Sequence, residues 1–115
     1  MSKDFMNLGG REVRVEVNWN AITEFLQFIG EDSYEGLANI GSMRPSQVPA
    51  LIAASVNEGE RLEGRESKLS ALDVGAVIRT NDIKTFMEIY VRQSAAQMEE
   101  EDAKKKTNEE ENGQQ

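Results

Sequence analysis

Cysteine and histidine are both missing from the 115 residues. Without cysteine there is no disulfide, no thiolate nucleophile and no Cys-based zinc site, and without histidine every His-dependent triad is gone as well. Proline occurs twice and aromatic residues seven times. Basic charge is scarce: 13 Lys and Arg stand against 21 Asp and Glu, a net −8. An acidic surface repels phosphate backbones and anionic bilayers, so neither nucleic acid nor membrane is expected as the partner. Long apolar runs are lacking too. The best stretch, Val48 to Val56, is nine residues long and contains Pro49, far short of the roughly 18–20 residues of a membrane span. Lys3 and Asp4 sit where a secretory leader needs an apolar run, so a cytoplasmic protein is expected.

What is present reads as one α+β domain over residues 1–98, with a charged extension over 99–115. An N-terminal β-hairpin should lead into a bundle of four to five helices, ending in a disordered acidic C-terminal tail. Phe5, Met6 and Leu8 precede Gly9-Gly10, a dipeptide that accepts positive φ. Behind it Val13, Val15 and Val17 alternate with Glu12, Arg14 and Glu16. That period of two indicates a half-buried strand. Asn18 or Asn20 then caps a helix ending at Gly30, with Trp19, Ile22, Phe25, Leu26 and Ile29 on its core face. Phe28 lies beyond that arc. It either packs against a second helix or joins an exposed docking patch.

A short helix follows from Asp32 or Ser33 to Ile40, with Tyr34, Leu37 and Ile40 on one side and Gly36 weakening it. Ser46 is the expected cap of a longer helix carrying Pro49 in its first turn. Its stripe runs Val48, Leu51, Ile52, Ser55, Val56, Gly59 and Leu62, with Asn57, Glu60 and Arg61 turned away. Small residues at 55 and 59 should let a neighbouring helix come close. After the charged loop Glu63 to Lys68, Ser70 and Asp73 form a capping box before Leu72, Val74, Val77 and Ile78, a segment expected to be sandwiched. Asn81 is the expected cap of a last helix with Ile83, Phe86, Met87, Tyr90, Val91, Ser94 and Met98 on one face. From Glu99 onward seven acids and three lysines leave nothing apolar larger than Ala103, so Asn108 to Gln115 reads as a frayed tail.

No catalytic constellation emerges. Ser67-Lys68 and Ser46 sit in loop and cap contexts. Glu58, Glu60 and Glu63 straddle a helix end and read as a solvated charged face. Gly9-Gly10 leads into a strand, whereas a phosphate loop opens a helix. EF-hand spacing is absent, so no metal or cofactor is expected. The candidate functional residues are instead the aromatics available to a protein partner: Phe25, Phe28, Tyr34, Phe86 and Tyr90.

The order of elements resembles the tail assembly chaperones of long-tailed bacteriophages and prophages. In those proteins a hairpin with a Gly-Gly turn feeds an Asn-Ala helix, here Gly9-Gly10-Arg11-Glu12-Val13 followed by Asn20-Ala21-Ile22-Thr23-Glu24-Phe25. Leu51-Ile52-Ala53-Ala54 and Asp73-Val74-Gly75 match two further helices of the pattern, while Pro49 and Gly36 depart from it. The resemblance implies a non-enzymatic protein that binds the tape-measure protein during tail assembly and brings tail-tube subunits to it. The other readings are a structural or self-assembling virion component and a small cytoplasmic adaptor. Homo-oligomerisation through Phe86, Tyr90 and Val91 competes with burial of the same stripe in the domain's own core.

Overall fold

The computed structural model describes residues 3–113, with side chains described through Ala96. Its architecture is α+β: an antiparallel hairpin lies over a central helix, which further helices surround. Strands β1 (Asp4–Leu8) and β2 (Arg11–Val15) pair with Met6 opposite Val13 and Asp4 opposite Val15. The two-residue turn needs positive φ at both positions, which glycine adopts without a Cβ clash. Gly9 and Gly10 supply it, at φ 62° and 85°. The Asn7 side-chain oxygen accepts the Gly10 N–H at 3.0 Å. Met6, Leu8, Val13, Val15 and Val17 face inward, as the alternation predicts, and Phe5 faces out.

Helix α1 (Trp19–Phe28) starts at Asn18, whose side-chain oxygen accepts the Ala21 N–H at 3.0 Å, and gives way to Gly30 in the left-handed region. Helix α2 (Tyr34–Ala38) is capped by Ser33 and followed by a 3-10 turn, Ile40–Ser42. Gly36 is required there. A Cβ at that position would stand 2.0 Å from the Glu31 carbonyl oxygen.

Helix α3 (Val48–Leu62) is the axis of the domain. It packs on β2, α1 and helix α4 (Ala71–Val77), and every residue from Ala50 to Glu60 is buried. The small residues expected to admit a helix admit a strand instead. A Cβ on Gly59 would lie 2.1 Å from the Arg14 carbonyl oxygen, and the Glu16 N–H donates to the Ser55 carbonyl at 3.0 Å. Ser46 does not cap α3. It lies in a 3-10 turn, Pro45–Gln47, that runs straight into the helix, and Pro49 occupies the first turn as expected.

The Ser70–Asp73 capping box forms in both directions, at 2.9 and 3.1 Å. The helix behind it is not sandwiched, however. Val74 alone is buried, and Leu72 is 86% exposed, because α4 packs chiefly on α3 and leaves its other side open. Helix α5 (Thr80–Gly113) opens with the Asp82 carboxylate accepting the Arg79 N–H at 2.9 Å, leaving Asn81 inside the first turn rather than at the cap.

Its most buried residues, Phe86 and Ile89 with the partly buried Gln93, are turned about 100° around the helix from the centre of the expected face, whose Ile83, Met87, Tyr90 and Ser94 are only partly buried. Val91 is consequently exposed. Gln93 causes the turn: it donates to the Val15 carbonyl at 3.0 Å and to Asp4 at 2.9 Å, and accepts the Val17 N–H at 2.7 Å. It thus satisfies backbone groups where the hairpin has no third strand. The charged extension is helical in backbone to Gly113. Side chains from Gln97 on, and with them the expectation of a disordered tail, lie outside the described residues. Among the described residues no helix is long and apolar enough to cross a membrane.

Candidate functional site

Among the described residues several concave regions compete for a functional role, and chemistry separates three of them. The first, about 580 Å³, lies between the hairpin turn and the α4–α5 junction and is edged by Asn7, Gly9, Gly10, Arg79 and Asp82. Ala76, Val77 and Ile78 line it as well, but its exposed lining is mainly polar. Asp82 is engaged with the Arg79 N–H and Asn7 with the Gly10 N–H, so the turns themselves use the polar groups.

A second depression, about 240 Å³, contains Glu24, Asn57, Glu58, Arg61 and Ser67. Here the expectation of a solvated charged face fails. Glu58 and Glu60 are almost fully buried, as is Asn57, because α3 is covered on all sides. Burial of a carboxylate requires donors, and each has them. Glu58 takes Arg61 Nε at 2.6 Å on one oxygen. Its other oxygen takes Asn18 at 2.6 Å, Asn20 at 2.9 Å and the second Arg61 nitrogen at 3.0 Å. The Arg61 hydrogen bonds, against the cost of burial, hold its carboxyl below the ordinary 4.5.

Glu60 accepts the Arg14 N–H at 3.0 Å and pairs with Arg65 and Arg11, the Arg65 bond being the main cause of its lowered pKa. Glu24 is pushed the other way by burial, with Glu58 adding repulsion and Asn57 opposing. Two carboxyls shifted apart are the usual setting for acid–base chemistry. Glu58, though, already accepts four hydrogen bonds from Arg61, Asn18 and Asn20, which leave little of its carboxylate open to a substrate. Asn57 is equally saturated: it donates to Glu24 at 3.1 Å and the Leu69 carbonyl at 2.9 Å, and accepts the Ser67 hydroxyl at 2.7 Å and the Leu69 N–H at 2.9 Å. This network clamps the 63–68 loop onto α3. Among the described residues no group of three acidic side chains is placed to hold a metal ion.

The third region is apolar. Trp19, Thr23 and Leu26 of α1 face Tyr34 and Leu37 of α2 across a groove of about 240 Å³. Trp19 was expected in the core and is 62% exposed, since at the first residue of α1 its side chain lies on the open groove that faces α2. Tyr34 is 91% exposed.

The five aromatic candidates divide accordingly. Phe25 and Phe86 are 1% and 0% exposed and serve the core, so neither offers surface to a partner. Tyr90 is half-buried against Phe86, with ring centroids 6.3 Å apart. Phe28 is exposed, but it lies on the margin of α1 opposite Trp19, about 180° around the helix. Only Tyr34 is in the groove. Its partner Trp19 was missed because an apolar residue one step inside a cap reads as core whenever it falls on the helix's apolar arc. No protein-family model matches the chain, and no curated protein or solved structure matches it.

Proposed function

We propose that this chain is a non-enzymatic polypeptide-binding protein acting as a tail assembly chaperone in the bacterial cytoplasm, where it holds the tape-measure protein during tail construction. The observation that carries the reading is the Trp19–Tyr34 groove: two large aromatic side chains left in water, flanking Leu26 and Leu37, on a domain whose remaining large apolar side chains mostly close on α3. Aromatic residues on a surface give much contact area for little lost freedom, and they anchor amphipathic helices in shallow grooves. A net charge of −8 keeps a complex with an oily client dissolved. The order of hairpin and helices that resembles the phage chaperones supports the same reading.

Co-expression with a tape-measure protein, the very long coiled-coil-rich client this reading expects from a neighbouring gene, tests the proposal. The expected result is a larger soluble fraction of the long protein and its co-purification with this chain. Unchanged solubility with no co-purification overturns it, and spontaneous assembly of the chain alone into rings or tubes favours a virion component instead.

A further inference from the structure

The α1–α2 edge has a second property that the groove alone does not explain. Between Arg14 and Arg44 the chain contains no Lys or Arg, while Glu16, Glu24, Glu31, Asp32 and Glu35 are all acidic. Three of these acids gather at the groove. Asp32 is on its wall, and Glu31 and Glu35 line an adjoining depression of about 330 Å³ that shares Ser33 with it and also includes Asn39. All three are exposed, and among the described residues no ion pair or side-chain hydrogen bond engages them. Elsewhere among the described residues Asp4, Glu16, Glu58, Glu60 and Glu63 each hold an arginine. The exposed acids there with neither an ion pair nor a side-chain hydrogen bond, Glu12 on β2 and Glu88 on α5, stand singly on separate elements rather than together beside an apolar groove. Tight backbone packing fixes the relative position of the two depressions, because Gly36 sits against the Glu31 carbonyl.

We propose that this paired surface binds a basic amphipathic helix, whose large apolar side chain enters the Trp19–Tyr34 groove while a neighbouring Lys or Arg reaches Glu31, Asp32 and Glu35. The inference rests on the polypeptide-binding reading and adds the chemistry of the client segment. The argument is charge complementarity next to an apolar anchor site. A cation beside an aromatic face gains from the ring as well as from the carboxylates, and unpaired acids on a rim favour positive partners and reject negative ones. An acidic or purely apolar segment would satisfy the groove and leave the three acids opposed or idle.

Trp19 is the single tryptophan, so its emission reports directly on the groove. The probe is an 18-residue Leu/Lys amphipathic helical peptide without Trp or Tyr, titrated into the full chain beside the same peptide with Glu in place of every Lys. The Lys peptide should shift the Trp19 emission to the blue and bind about tenfold or more tightly than the Glu peptide, with an affinity that falls as salt rises. The triple variant Glu31→Gln, Asp32→Asn, Glu35→Gln should abolish that preference, and Tyr34→Ser should weaken the Lys peptide about fivefold or more. All four side chains are exposed, so the variants should keep the fold.

An unmoved emission, equal binding of both peptides, or a preference that survives the triple variant overturns the proposal. So does a dimer in sedimentation that Tyr34→Ser dissociates, which would assign the groove to a second copy. If the long client co-purifies equally with wild type and these variants, the site is wrong and the chaperone reading stands. If the Lys peptide behaves as expected and the client is not captured, the site stands and the chaperone reading falls.

Discussion

Helix α3 contains two glutamates and an asparagine and is buried from Ala50 to Glu60, whereas α1 and α2 leave the single tryptophan and Tyr34 in water. Residue type would assign the two places the other way round. In α3 each buried polar group meets donors or acceptors arranged by other elements: Arg14 and Arg11 from β2, Arg65 and Leu69 from the following loop, Asn18 and Asn20 from the start of α1. At the α1–α2 edge the rings are exposed, and among the described residues no cation pairs with Glu31, Asp32 or Glu35. The contrast teaches that burial follows from how many neighbours an element has. Charge is tolerated inside where the neighbours bring partners. The partnered carboxylates tie α3 to its neighbours, and Glu31, Asp32 and Glu35 carry no such tie.

Three measurements would break or sharpen this contrast. The largest effect is expected at Gly59, where a methyl group would meet the β2 backbone itself at the Arg14 carbonyl, which no rotamer change can relieve. Gly59→Ala should lower the stability in urea by about 3 kcal/mol or more, or leave the chain unfolded. A variant as stable as wild type would mean that β2 does not sit so close to α3.

Next comes Glu60. Removing it strands the Arg14 N–H and leaves a gap in the buried face of α3, while the exposed Arg11 and Arg65 turn to water, so Glu60→Ala should cost about 2 kcal/mol. Acid should reproduce part of that loss. Glu58 and Glu60 have folded pKa values below the ordinary 4.5, so their contribution is complete above 4.5 and disappears as the pH falls from there through the folded values. Glu24 is shifted upward, so it contributes in the opposite sense and offsets a little of the loss. Urea midpoints between neutral pH and pH 3 should therefore fall steadily for wild type and less steeply for Glu60→Ala. Parallel curves would remove Glu60 from the account.

The smallest effect is expected at Trp19. A buried tryptophan in its place would lose about 3–5 kcal/mol on truncation, but at 62% exposure Trp19→Ala should cost about 1 kcal/mol or less. Phe25→Ala, six residues along the same helix, should show the full core penalty. Similar losses for the two would place Trp19 inside after all and close the groove.

Local chemistry was readable from the chain wherever it is short in range. The Gly-Gly hairpin, the Val13–Val15–Val17 face, the Asn18 cap and the Ser70–Asp73 box each involve residues within a few positions of one another, and all of them form. Errors cluster where the outcome depends on distant partners. Ile89 and Gln93 are turned inward by the hairpin's open backbone groups, more than seventy positions away in sequence for Gln93 and Val15. Leu72 and Trp19 are apolar residues on helices with too few neighbours to cover them. Of the groove, Tyr34 was visible as an aromatic on a short helix, and the run without Lys or Arg from 15 to 43 could have marked this edge as acidic.

The amino-acid order alone determined the list of elements, their caps and turns and the acidity of the whole, since these follow from backbone geometry and charge over a few residues. Which helix became the axis, which carboxylates found arginines and which aromatics stayed in water were decided only when α3 took the centre. Each depends on how many segments surround a residue, and that number is a property of the packed chain.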